Sequence, residues 1–319
     1  MVLDLANSIS TLVAHKLAAI YACSYVGSIY VSKGARLSFS DSRANLDFGY
    51  ARPKELHERW RDDPDVIRAR LVSVSTVTIL CCLWATAIVR GLIEVRNKTQ
   101  TDFSTALVVT RTYLGITSPG ILPLFVTPVL YLGPLYACFL GQTLPLQRNW
   151  SFQEDVLSFF FSITGVRNFL VAPITEEIVF RACVLSAYYF AGAYRSRMIF
   201  LSPMVFGAAH VHHAWETYNR YGCSRAALKR AAIGTAIQFT YTTIFGFYCS
   251  YLFLRTGSIF PPIVAHVFCN VMGVPQPGYE ISQRPDRKLA IILAYFVGII
   301  GFMSVLEKWT HTEGNLYWP

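Results

Sequence analysis

Apolar runs of about twenty residues recur along this chain, and that is the helix length needed to cross the hydrocarbon core of a bilayer. Candidate spans are 12–31, 71–89, 121–140, 156–171, 174–191, 199–211, 231–254, 259–274 and 289–306. A soluble domain of 319 residues would carry about a quarter charged residues; here only 15% are charged and 53% are hydrophobic, with mean hydropathy +0.39. The expected fold is all-α, a polytopic transmembrane bundle of about eight helices forming one integral membrane domain over 1–319. The only long polar stretch, 32–70, carries both charge signs and reads as an exposed loop with a short helix at 53–64 rather than a separate domain.

The net charge of +9 does not point to nucleic acid, because Lys and Arg fall in short segments between the apolar runs and form no continuous stripe. Anionic membrane lipids are the expected partners of that charge. Most of the eight cysteines lie inside apolar runs without CxxC spacing and read as small buried hydrophobes. Residues 1–10 hold Asp4 and no basic cluster, so a cleaved signal is not expected and the first span serves as an anchor. Basic residues occur in nearly every loop, so the positive-inside rule does not fix the orientation.

Some spans are too short or too interrupted to face lipid alone. The run 199–211 contains Pro203, and 259–274 opens with Pro261 and Pro262, where a missing N–H does no harm at a helix start. Such helices must be packed among others or line a wet cavity.

Against this background the segment Thr175-Glu176-Glu177-Ile178-Val179-Phe180-Arg181 is anomalous, since charges in a bilayer cost several kcal/mol unless paired or wet. On an α-helix Glu177 and Arg181 share a face and suit a buried ion pair, whereas Glu176 points about 100° away. A helix mouth in water, started by Pro173, would be the plainer account. A second anomaly is Phe206-Gly207-Ala208-Ala209-His210. Phe206 shares the face of His210 and can orient it, and the three small residues let neighbouring helices approach closely. His212 and His213, beside Trp215 and Glu216, read more simply as interface residues. The third is His266-Val267-Phe268-Cys269-Asn270, with two hydrogen-bonding side chains on one face, which alone would be read as a clasp between helices. Acid-base or donor groups on three separate helices make the joint occurrence harder to dismiss.

These groups are the parts of an amide hydrolase. Desolvation raises a carboxylate's pKa toward a working range, so Glu176 fits a general base. His210 can hold and polarise the water, and His266 with Asn270 can donate to the oxyanion. No GxSxG elbow is present, and the cysteines have no adjacent His in sequence. Zinc held by Glu and two His is the main alternative, but HExxH is absent, so a metal-free mechanism without a cofactor is expected.

In order and spacing these segments resemble the type II CAAX prenyl endopeptidase family, the Ras-converting proteases, within the wider group that includes the bacterial Abi proteins. Its EExxxR motif corresponds to Glu176, Glu177 and Arg181, its FxxxH to Phe206 and His210, and its HxxxN to His266 and Asn270. The length and several N-terminal helices resemble the eukaryotic branch. The resemblance implies a protease core at about 150–275, catalytic Glu176, His210, His266 and Asn270, and supporting Glu177, Arg181 and Phe206. It also implies removal of the last three residues of prenylated CAAX proteins such as Ras-like small GTPases, by a multi-pass protein of the endoplasmic reticulum membrane. A prenyl chain partitions into lipid, so a site reached from the membrane receives an anchored substrate. A membrane transporter, or a non-proteolytic scaffold of the same fold, would also explain buried charges and broken helices. No inverted repeat supports the transporter.

Overall fold

The computed structural model of the chain describes residues 4–40 and 51–319. Its principal helices are α1 (Thr11–Val31), α2 (Pro64–Asn97), α3 (Phe103–Tyr113), α4 (Val126–Leu130), α5 (Leu132–Gly141), α6 (Ala172–Glu177), α7 (Val184–Phe190), α8 (Ser202–Ala209), α9 (His213–Arg220), α10 (Arg225–Thr256), α11 (Phe260–Met272) and α12 (Lys288–Thr310). Among the described residues no strand forms, only an isolated antiparallel bridge between Ser38 and Arg59. The all-α expectation holds. Among the described residues three helices are long and apolar enough to cross a membrane, 11–31, 64–97 and 285–310, or four if 122–130 and 132–141, bent by 72°, count as one span. Of the remaining apolar runs, 231–254 lies within the continuous 32-residue α10, and the others fold as shorter or interrupted helices.

Interruption takes a particular form before α7. Three π-helical turns, Phe152–Ser158, Val166–Val171 and Ile178–Cys183, alternate with short α segments. The last begins directly after Glu177, so the Glu-Glu-x-x-x-Arg segment is not the uniform α-helix assumed from its spacing.

The described residues form two compact units: Met1–Leu114 with Ile178–Tyr251, and Gly115–Glu177 with Leu252–Pro319. In the first, Ser10 caps α1 by accepting from the Val13 amide at 3.3 Å. The buried residues Ala14, Leu17, Ala18, Tyr21, Ala22, Tyr25 and Ile29 recur at helical spacing and turn one face of α1 inward. Tyr21 packs on Trp84 of α2, and Tyr25 meets Phe180 of the π turn edge-on. In the second unit α12 packs closely on α4, where a Cβ on Gly298 would lie 3.0 Å from the Val129 carbonyl. The other side of α12 leaves Leu289, Phe296, Val297, Ile300 and Met303 more than half exposed, as a lipid-facing helix requires.

The polar loop departs from expectation. Residues 53–63 form turns and not a short helix. Two members of the loop, Arg52 and Glu58, are buried. Glu58 takes hydrogen bonds from Arg52, the Ser40 and Glu55 amides, the Ser40 hydroxyl and the Trp60 indole. A side chain that satisfies its own neighbours' amides offers the backbone an alternative to the helical ladder, which explains the turn. Arg52 in turn donates from Nε to the Asn219 carbonyl at 3.0 Å, and its amide donates to the Arg220 carbonyl, tying the loop to α9.

Candidate active site

The second unit brings Glu176, Glu177, His266 and Asn270 onto the facing sides of α6 and α11. Pro261 and Pro262 start α11, their missing N–H groups costing nothing in the first turn, and Ala265 and His266 face inward. His266 Nδ1 lies 2.7 Å from Glu177 Oε1, whose side chain is 0% exposed. A carboxylate accepts, so the Nδ1–H donates and the tautomer is fixed. On the other side of the ring, Nε2 stands 3.9 Å from Glu176 Oε2, with the Glu176 side chain 18% exposed. That gap is too long for a direct hydrogen bond and suits a bridging water.

Asn270 is exposed, not buried, and its amide donates to the Asn168 carbonyl at 2.9 Å. One donor is thereby committed to the π turn Val166–Val171, and the second N–H is left over. Sequence spacing could place His266 and Asn270 on one face but could not reveal Asn168.

The first unit holds the other motif residues. His210 follows the last turn of α8 and donates its Nδ1–H to the Phe206 carbonyl at 2.9 Å, so in the neutral ring Nε2 is an acceptor. The Phe206 ring meets it edge-on at 4.8 Å, which is the packing expected from the spacing. The Arg181 guanidinium sits 4.2 Å over the same ring, and Phe180 packs on it at 5.1 Å. Gly207 faces α10, where Phe239 and Thr243 fill the space a Cβ would need. Beyond His210, an apolar groove of about 750 Å³ opens between α9 and α10, starting at Val211 and His212 and including Trp215, Ala232 and Phe239. Its size and lining are those of a ligand pocket.

His212 and His213 are half-buried. Burial, with His210, Arg61 and Arg70 nearby, pushes His212 down to about 4. Burial first and then His212 and Arg61 push His213 down to about 2. Among the described residues no three His, Cys, Asp or Glu side chains converge as metal ligands would.

The family model for the type II CAAX prenyl endopeptidases, Rce1-like, matches residues 158–272, which contain all three motifs. The probable CAAX prenyl protease 2 of Schizosaccharomyces pombe is 30% identical over 84% of this chain and 88% of its own length. The CAAX prenyl protease 2 of Homo sapiens is 31% identical over 91% of this chain and 78% of its own. The Arabidopsis thaliana protein of that name is 40% identical over 48% of this chain and 46% of its own. No solved structure matches. With the motif residues embedded in these helices and relatives aligned along most of its length, the chain belongs to the type II CAAX prenyl endopeptidases.

Proposed function

We propose that the chain cleaves prenylated CAAX proteins, Ras-like small GTPases among them, after the prenyl cysteine and within the endoplasmic reticulum membrane, using water activated by Glu176 and no metal or other cofactor. The observation that carries this reading is the 3.9 Å opening between Glu176 and His266, with His266 held from behind by buried Glu177. A water in that opening loses a proton to the Glu176 carboxylate, and the hydroxide oxygen attacks the cysteine carbonyl carbon. In the imidazolium form His266 donates from Nε2 to the developing oxyanion, Glu177 balancing its charge, while the second N–H of Asn270 adds a donor. The C–N bond then breaks as Glu176 returns the proton to the leaving amine, giving a prenyl-cysteine carboxylate and a tripeptide. For His210 the role rests on its sequence motif: its Nε2 polarises the attacking water.

The test is direct. Purified protein incubated with a farnesylated CAAX peptide releases the tripeptide, detected by mass spectrometry, and a strong chelator leaves the rate unchanged. Glu176→Gln abolishes release without weakening peptide binding. Zinc-restored activity after chelation would overturn the metal-free mechanism, and substantial cleavage by Glu176→Gln would overturn the assigned base.

A further inference from the structure

Two recesses of the first unit adjoin. Beside the apolar groove between α9 and α10 lies a polar one of about 190 Å³, lined by Tyr30, Arg36, Arg70, His213 and Glu216, and His212 and Trp215 line both. The polar recess is cationic. Arg36 is exposed, and its hydrogen bonds of 2.5 and 3.1 Å go to the Tyr30 and Val31 carbonyls at the end of α1, which are neutral and leave its charge in place. Arg70 is buried and donates to the Ala35 carbonyl at 2.9 Å. Glu216, the carboxylate in the lining, is faced by Arg220 at 3.5 Å and by Arg61 at 3.9 Å, so guanidinium groups outnumber carboxylates here even with Asp62 3.7 Å from Arg61. The groove is apolar and long. Leu228, Ala232, Ala236 and Thr240 line it at four-residue intervals along α10, a wall about 18 Å in length at about 1.5 Å per residue. At the junction stands the Trp215 indole, 61% exposed, with Tyr30 edge-on to His212 at 6.1 Å; such rings occupy the boundary between headgroups and acyl chains.

We infer that the two recesses hold one anionic glycerophospholipid, its phosphate against Arg36 and Arg70 and one acyl chain along α10. The inference concerns a lipid ligand and stands apart from the proposed cleavage. Guanidinium groups present the paired donors that match phosphate oxygens, and basic pockets beside membrane helices take such headgroups. Volume agrees: space for about six waters, at roughly 30 Å³ each, admits a phosphate with its glycerol oxygens but not an acyl chain. Length agrees as well. The wall along α10 is a little over half the hydrocarbon core of about 30 Å, which is the reach of a chain that spans one leaflet. A free phosphate would use none of that wall, and a zwitterionic lipid would bring a cation of its own to a cationic recess.

The experiment uses the quenching of tryptophan by brominated acyl chains, with the whole protein in phosphatidylcholine vesicles. The Trp215 signal is the difference between wild-type protein and Trp215→Phe. Dibrominated phosphatidylglycerol quenches it to saturation at a mole fraction about tenfold below that needed with dibrominated phosphatidylcholine, as expected for charge-assisted hydrogen bonds to one lipid and not the other. Arg36 is exposed, so its replacement spares the core. Arg36→Gln brings the two titrations together, whereas Arg36→Lys, which keeps the charge without the fork, retains part of the preference. Ala236→Phe, which narrows the groove, raises the saturating fraction of phosphatidylglycerol severalfold. Equal quenching by the two lipids in wild-type protein, a preference that survives Arg36→Gln, or an Ala236→Phe titration identical to wild type overturns the inference. Relief of quenching by millimolar inorganic phosphate would mark a free-anion site, and relief by an uncharged farnesylated peptide would give the groove to a prenyl chain; either result overturns it too.

Discussion

Glu176 and Glu177 are chemically identical neighbours that their surroundings divide. Glu177 is sealed and its carboxylate holds His266, whereas Glu176 keeps a partly wet side chain across a gap from the same ring. Spacing alone separates the two carboxylates only by which has a partner four residues on, and it assigns Glu177 to Arg181. It cannot show His266 behind Glu177, because a contact spanning 89 positions leaves no local pattern. Two outcomes follow. Glu177→Gln keeps an oxygen for the Nδ1–H but loses the charge that balances an imidazolium, so turnover falls about tenfold with folded protein retained. Glu176→Gln falls by at least about 10²-fold. Measuring kcat for both variants decides it, and the reverse ranking would exchange their roles. Asn270→Ala removes an oxyanion donor and the bond to Asn168, so a rate loss of about 10²-fold should come with a lower unfolding temperature.

At the scale of the element, the sequence identifies helices by long apolar runs but does not reveal their internal winding. Nothing in Ile178-Val179-Phe180-Arg181 announces a π turn, since its bonding to the fifth residue back has no side-chain signature. Small residues are a more faithful guide. Of Gly207, Ala208 and Ala209, the glycine does bring α8 against α10, while Ala208 is exposed. A companion glycine on α10 belongs to no motif: a Cβ on Gly246 would lie 2.6 Å from Pro203 Cβ and 3.3 Å from Arg181 Nη2. The two sites differ in what can yield. At Gly207 the obstructing Thr243 hydroxyl can rotate, but a proline ring at Gly246 cannot, so Gly246→Ala is expected to cost about 1–3 kcal/mol and Gly207→Ala less. Thermal unfolding of the two variants in one detergent checks the order; equal stabilities would mean the crossing of α8 and α10 relaxes as a whole.

Across the whole molecule, the chain passes between its two units at Leu114–Gly115, Glu177–Ile178 and Tyr251–Leu252, a partition that hydropathy could not foretell because the apolar runs look alike on both sides. Hydropathy also misjudges the loop at 32–70, whose charged residues are the cue to an exposed segment but here include a buried pair. That pair and the two half-buried histidines set how the fold responds to acid. Burial alone would raise Glu58, but the Arg52 guanidinium and the Ser40 and Glu55 amides outweigh it and hold the carboxyl far below its usual range. A depressed carboxyl contributes stability that is complete above its unfolded value of about 4.3 and is lost as pH falls toward the folded value. His212 and His213 carry the same sign. Their folded values of about 4 and about 2 lie under the unfolded value near 6.5, so protonation favours the unfolded chain and stability declines as pH drops below 6.5. The unfolding temperature should therefore be level above pH 6.5, fall gradually below it, and fall more steeply under about 4.3. His213→Asn should flatten the first decline and leave the second. Glu58→Gln should do the opposite, starting from a lower temperature at neutral pH because Arg52 stays buried without its counter-charge. Unfolding temperatures recorded from about pH 3 to pH 8 for the three proteins separate the windows, and a His213→Asn profile parallel to wild type between about pH 4.5 and 6.5 would show that the acid response arises elsewhere.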